Sequence, residues 1–524
     1  MRAKSLVPCD RFCGCCSSAS RSERGGAGLS RREFLAGAGA LGASGLVLPR
    51  LRLSAATLSE ASASRPVPKV PLSVQPVLTY RIPQRKQATS WREWGAIQTE
   101  ADVNAEKERI SRELAEMASP SQLPLVILPL KTAENPEQAG AAAQGNHDVL
   151  IVYAAGGSEP TLAALTLPNK WNLMFLRHRS GPVYLWYEIA HPRFLRKAVD
   201  EYGQVGMDVD DVVVDSQAEI LLRLRALYGL KSTLGKRIVA VGGPGGWGAG
   251  HQLAPARSRE LWKMDIVDVP YPDLGERIKR ARQDEALVQR CRAEADAYLK
   301  QRGVSLETTR DFVYNAFALT AVFRSLMTEA QTDAITINQC MGTIMPMAET
   351  TACLPLSLLN DEGYMAFCES DFVVIPSGIL LHYISGKPVF LNDPTHPHDG
   401  VVTLAHCTAP RKMDGNRPEP ARLLTHFESD YGAAPKVEMR KGQKITVLDP
   451  DFASHRWLGF EGEIVDNPFL AICRSQIDVR INGDCNRLVE EMRGFHWMVS
   501  YGNYLRETGY ALKKLGVDWV NLSA

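Results

Sequence analysis

Short apolar runs alternate with longer helical patterns from Leu123 to Asn392, and this alternation constrains the fold more than any other feature of the chain. The runs LPLVILPL (123–130), DVLIVYAA (148–155), NLMFLR (172–177) and PVYLWYE (182–188) have strand length and turn residues at their ends. Strands alternating with helices predict parallel βαβ units. A second unit opens at KRIVAVGGPGGWG (236–248), continues in MDIVDVPY (264–271), and is followed by charged helical patterns over 274–301 and 306–330. A third runs from AITINQC (334–340) through YMAFCESDFVVIPSGILLHYISGKPVFLND (364–393). Past Val401 the helical period fades: PKVEMRKGQKITVLDP, ICRSQIDVRI and HWMVSYGNY read as antiparallel strands, and a last helix is expected from Tyr504 to Leu515. The expected class is therefore α/β, with Rossmann-like parallel-sheet units and a β-rich C-terminal portion.

The expected organisation is a leader over 1–63, a Pro-rich linker over 64–77 and an N-terminal α/β domain over 78–235. A second α/β region carrying acidic strand ends covers 236–400, and a β-rich domain covers 401–524. In the leader, Arg31 and Arg32 precede a weakly apolar run from Phe34 to Leu48, the pattern of a twin-arginine export signal. That run is too short and too Gly-rich to act as a stable membrane anchor, so a cleaved signal and a periplasmic or secreted protein are expected. Ala61-Ser62-Ala63 and Ser54-Ala55-Ala56 are candidate cleavage sites. Export by this route carries folded proteins, which is compatible with a metal loaded beforehand.

Sixty basic against 59 acidic side chains leave a net charge of +1, so no global field favours nucleic acid or an anionic membrane surface. Four of eleven cysteines, Cys9, Cys13, Cys15 and Cys16, lie in the leader. The seven that remain are odd in number and include no CxxC pair, which argues against a disulfide scaffold. Pro244 and Trp247 interrupt the glycine cluster, so it fits a tight strand-to-helix turn beside a ligand cleft better than a dinucleotide loop. Trp247 itself suits either stacking on a sugar ring or packing at a domain seam.

Chemistry concentrates at two acidic ends. If YMAFC is a strand, 372–384 a crossover helix capped by Gly386, and PVFLN the next parallel strand, then Glu369 and Asp393 meet at the carboxyl rim of one sheet. Two carboxylates that close repel unless a cation lies between them, and Mn²⁺ or Mg²⁺ is the hard-ligand answer. A histidine would complete the set, with His396, His398, His406 and His496 available. His382 falls in the crossover helix and reads as structural, Asp371 as a helix cap, and Cys368 as a buried, inert thiol.

These residues lie in motifs that resemble the L-fucose isomerase family and its L-arabinose isomerase relatives: CESD (368–371), FLND (390–393), AHC (405–407), ICRSQIDVRING (472–483) and GFHWMVSYGN (494–503). The resemblance covers about Ala334 to Val520, with Asn503 where relatives often carry Asp. It implies a manganese ion held by Glu369, Asp393 and His496, and aldose–ketose isomerisation through an ene-diol with Glu369 and Asp393 moving the proton. It also implies a small-molecule sugar as partner and a homo-oligomer. Trp247 and His406 are the candidate substrate contacts, and Cys407 has no assigned task. The competing expectation is a periplasmic carbohydrate-binding protein that kept the fold without turnover; a third is a metal-dependent enzyme of other carbohydrate chemistry.

Overall fold

The computed structural model describes residues 66, 69–84, 86–88, 97–118, 123–184, 206–250 and 252–523. The twin-arginine segment, its cleavage sites and most of PVYLWYE lie outside the described residues. Among the described residues no helix is long and apolar enough to cross a membrane.

The first layer is a parallel sheet of β1 (Leu72–Thr79), β2 (Leu125–Ile127), β3 (Lys131–Ala133), β4 (Val149–Ala154), β5 (Trp171–Leu176) and β6 (Val212–Val214). Its order is β2-β1-β4-β5-β6, with β3 also on β1. Helices α1 (Glu100–Met117), α2 (Pro136–Ala143), α3 (Glu159–Leu165) and α4 (Gln217–Thr233) accompany it. All six residues of β4 are buried, as expected of a strand covered on both faces. The linker expected over 64–77 ends earlier, because β1 already begins at Leu72. Pro76 is tolerated in this interior strand because β2 pairs with residues 72–74 and β3 with 77–79, leaving the proline opposite the gap where no donor is needed.

The second unit contains β7 (Arg237–Val241), α5 (Ala254–Leu261), β8 (Asp265–Val269), α6 (Tyr271–Gln283), α7 (Glu285–Leu299), β9 (Val304–Leu306) and α8 (Arg310–Glu329). It continues with β10 (Ala334–Ile337), α9 (Met345–Ala348), α10 (Cys353–Asp361) and β11 (Met365–Phe367). Its four-stranded parallel sheet has the order β11-β10-β7-β8, and β9 leaves it for a separate three-stranded sheet.

The third part begins with α11 (Ile375–Ser385), followed by β12 (Phe390–Pro394), β13 (Val401–His406), β14 (Ala421–His426), β15 (Tyr431–Val437), β16 (Lys444–Pro450), β17 (Arg456–Asp466) and β18 (Ser475–Asn482). It ends with α12 (Cys485–Glu491), β19 (Trp497–Tyr501), α13 (Leu505–Lys514) and β20 (Asp518–Asn521). Strands β16-β19-β12-β13-β18-β17 form one antiparallel sheet, and β17 pairs back onto β16 to close a six-stranded barrel, with β20 added in parallel outside β17. The α/β class with parallel units and a β-rich C-terminal portion is what the chain adopts.

One expectation is corrected by this topology. PVFLN does not lie beside YMAFC in a parallel sheet: β11 is an edge strand paired with β10, while β12 runs antiparallel between β13 and β19 in the barrel. The physical reason lies in α11, all eleven of whose residues are buried. A helix apolar on every side has no solvent face, so it is enclosed instead of lying on one sheet's outer surface. It packs against α4 on one side and β19 on another. Gly386 caps it in a left-handed conformation, φ 67°, as expected.

Candidate metal and active site

Both carboxylates reach one imidazole, that of His496, by a different route from the one expected. The chain leaves β11 through Cys368 and turns sharply, with Glu369 at φ 65° and Ser370 at φ 46°. Two successive non-glycine residues in the left-handed region cost on the order of 1–3 kcal/mol each, which surrounding contacts must offset. The glycine-rich turn after β7 supplies them: Gly245 N donates to Ser370 O at 3.1 Å, and Phe372 N donates to Gly245 O at 3.1 Å. Gly242 in that turn, at φ 75°, could not be another residue, since a Cβ there would lie 2.4 Å from the Tyr271 ring.

The barrel brings the remaining groups by register. β12 pairs Asp393 with Ala405 on one side and Asn392 with Trp497 on the other. One step along each ladder, His406 and His496 flank Asp393. His496 Nε2 stands 3.2 Å from Asp393 Oδ1 and 3.3 Å from Glu369 Oε2. His406 Nε2 stands 3.6 Å from Glu369 Oε1. Both imidazoles are buried, while the Asp393 side chain is 31% exposed, so the cluster opens to solvent on the Asp393 side. Asp371 sits behind it: its Oδ2 accepts from His496 Nδ1 at 2.8 Å, and its Oδ1 accepts from Val373 N at 3.0 Å. Asp371 does not cap α11 as expected, since the N-cap there is Val374 with no side-chain cap hydrogen bond; its bond to Val373 N closes the turn before the helix, and its second role is at His496. A carboxylate on Nδ1 fixes the tautomer and ring orientation of His496 and leaves Nε2 as the inward-facing nitrogen.

The electrostatics follow from this packing. Burial alone pushes the Glu369 carboxyl up, but the His406 and His496 imidazoles outweigh it and hold the group well below its usual range. Burial pushes His496 down, and Asp371 and Glu369 outweigh it and hold the imidazole well above its ordinary value. His406 is raised in the same way, with Glu369 and Asp393 acting against burial. A metal at this cluster would therefore compete with protons for the imidazoles.

The donor set fits a divalent ion. Asp393, His406 and His496 present ligand atoms within 4.8 Å of one another, and the ring nitrogens Nε2 of His406 and His496 are buried with no hydrogen bond of ordinary geometry. Neighbouring ligands of an octahedral ion bound at about 2.1 Å stand roughly 3 Å apart. The histidine–carboxylate separations of 3.2, 3.3 and 3.6 Å come close to that. Two carboxylates and two imidazoles suit manganese-class ions over soft ones.

Trp247, a candidate on sequence grounds, forms one wall of the site. Its ring stacks on Phe495 at 4.7 Å and 12°, and meets His496 edge-on at 5.9 Å. Phe495 is a site residue that sequence reasoning missed, although it sits inside the GFHWM motif; it remains 38% exposed. The positioning role of Asp371 was missed too, and an acid two residues beyond Glu369 was the available signal. His396 and His398 stay on an exposed turn, His382 is buried within α11 with its imidazole pushed down to about 3 by burial, and the Cys368 thiol is pushed well up by burial. A cavity of about 630 Å³ lies elsewhere, at the amino ends of β4 and β5 beside His147, Trp171 and Lys513.

No family model matches the chain, and no curated protein matches it.

Proposed function

We propose that this chain is a metal-dependent aldose–ketose isomerase acting through an ene-diol, with Mn²⁺ or Mg²⁺ held by Glu369, Asp393 and His496. His406 joins that set as a fourth donor. The observation carrying this reading is the convergence of two carboxylates and two imidazoles at 3.2–3.6 Å, with Asp371 fixing His496 from behind. The resemblance of CESD, FLND and GFHWMVSYGN to the fucose and arabinose isomerase motifs supports it further.

A bound divalent ion supplies Lewis-acid polarisation and a template for two adjacent sugar oxygens. Glu369 and Asp393 accept and return the proton exchanged between neighbouring carbons of the open-chain sugar, a general acid–base task for carboxylates within reach of both positions. Asp371 keeps His496 in the tautomer whose Nε2 faces inward. The Trp247–Phe495 stack offers an apolar face to the carbon side of the substrate. Assembly as a homo-oligomer and export in folded form by the twin-arginine route belong to the same reading.

The test is metal analysis of the purified chain, joined to a panel of aldoses assayed in deuterated water with and without Mn²⁺. Stoichiometric metal, metal-dependent turnover with solvent deuterium entering the product, and loss of both in Glu369→Gln are expected. The export signal favours a second reading, a carbohydrate-binding protein without turnover. Tight aldose binding by a metal-free chain that catalyses nothing would establish that reading instead.

A further inference from the structure

A second cluster lies behind the first, built from residues that the isomerase reading does not use. Cys353 opens α10, Cys407 directly follows β13, and His426 ends β14. Their ligand atoms all lie within 4.8 Å of one another, and all three residues are buried, each at 4% exposure or less. Cys473, also buried, approaches the Cys407 thiol closely enough to hydrogen-bond it, within an apolar pocket that Ala405 and Ala434 help to line. Two sulfurs and an imidazole from three separate segments therefore converge in a buried site, with the sulfur of a fourth segment beside Cys407.

We propose that Cys353, Cys407, Cys473 and His426 bind a tetrahedral, zinc-class ion distinct from the one held at Glu369 and Asp393. Four ligands at about 2.0–2.3 Å from such an ion stand roughly 3.3–3.8 Å apart, so the separations under 4.8 Å among Cys353, Cys407 and His426 require only a small contraction, and Cys473, beside Cys407, would close in as the fourth ligand. Thiolate and imidazole donors select zinc over the hard ions that suit the carboxylate site. The scaffold is held from outside. His426 Nδ1 lies 3.2 Å from Ser429 Oγ and its Nε2 lies 3.1 Å from Glu428 Oε2, so ligation by one ring nitrogen would replace that nitrogen's present contact while the other contact orients the ring. Arg474 ties the Cys473 segment to β14, donating from Nε to Thr425 O at 2.7 Å and from Nη2 to Thr425 Oγ1 at 3.2 Å, and its backbone N donates to Cys407 Sγ at 3.4 Å. Four closed protein ligands make this a structural site. It pins the end of β13 and so the position of His406, the residue adjacent to Cys407.

The experiment uses the full reduced chain loaded with Co²⁺. A thiolate-to-cobalt charge-transfer absorption of one equivalent is expected, present in Glu369→Gln and Cys368→Ala and lost in Cys353→Ala and Cys407→Ala. On the zinc-loaded native chain, titration with a mercurial thiol reagent should release one zinc per chain, a readout that needs no variant to fold. Absence of the absorption, its survival in both Cys353→Ala and Cys407→Ala, or its loss in Cys368→Ala would overturn the proposal. So would a mass two hydrogens lighter in the chain isolated without reductant, with a Cys353–Cys407 disulfide persisting in place of metal. Because the absorption is read in Glu369→Gln, failure of the isomerase reading leaves this outcome unaffected.

Discussion

Asp371 governs His496 through one hydrogen bond of 2.8 Å, without presenting an atom to the open side of the cluster. Asp371→Asn keeps an oxygen to accept from Val373 N and removes the charge that holds the His496 tautomer. Its expected effect is a 10–100-fold loss of Mn²⁺ affinity by calorimetric titration, with an unchanged circular dichroism spectrum. In the proposed reading Trp247 serves the substrate and not the ion. Trp247→Ala, which leaves Phe495 without its stacking partner, should raise the KM for an aldose by about tenfold while metal content holds and kcat changes less than about twofold. That Glu369, Asp393 and His496 gather in one cluster was legible from their types and motifs. Phe495 and the second role of Asp371 were not, because ring stacking and a hydrogen bond across 125 positions leave no local pattern.

At the scale of elements, α11 decides where the acidic ends go. It lies so close to α4 that a Cβ on Gly229 would stand 2.4 Å from Ile384 Cγ1. Gly229→Ala should therefore destabilise the fold by about 1–3 kcal/mol, read as a lower midpoint in chemical denaturation, despite alanine's better helix propensity. The helical character of α11, its Pro376 in the first turn and its Gly386 cap were all readable in the sequence. Its destination was not. A strand–helix–strand pattern defaults to a parallel crossover, and the all-round apolar surface of α11 was the one local sign that it is enclosed by other layers. The antiparallel ladders of β12 with β13 and β19 then place Asp393 between His406 and His496, a convergence that parallel pairing with β11 would not produce.

For the whole molecule, the loop that carries Phe495 and His496 is anchored by a buried acid on the barrel. Asp449 Oδ1 accepts from Gly494 N at 2.6 Å and Oδ2 from Arg493 N at 2.7 Å, yet burial dominates and pushes its carboxyl up to about 7. The folded form thus holds a proton that the unfolded chain, titrating near 3.8, has released, and this contribution is fully present below the unfolded value and lost as pH rises through about 7. Stability should fall between about pH 4 and 7 with a slope of up to about 1.4 kcal/mol per pH unit from this group, and Asp449→Asn should flatten it, as urea denaturation at several pH values would measure. Apolar periodicity and ligand chemistry are local properties, so the class of fold, most strand and helix positions, and the residue types able to hold a cation could be read along the chain. Which distant strands pair, as β16 with β19 and β13 with β18 in the barrel, and that Cys353, Cys407, Cys473 and His426 share one pocket were decided only in three dimensions, since each depends on contacts between segments tens of residues apart whose partners are selected by the burial of the whole.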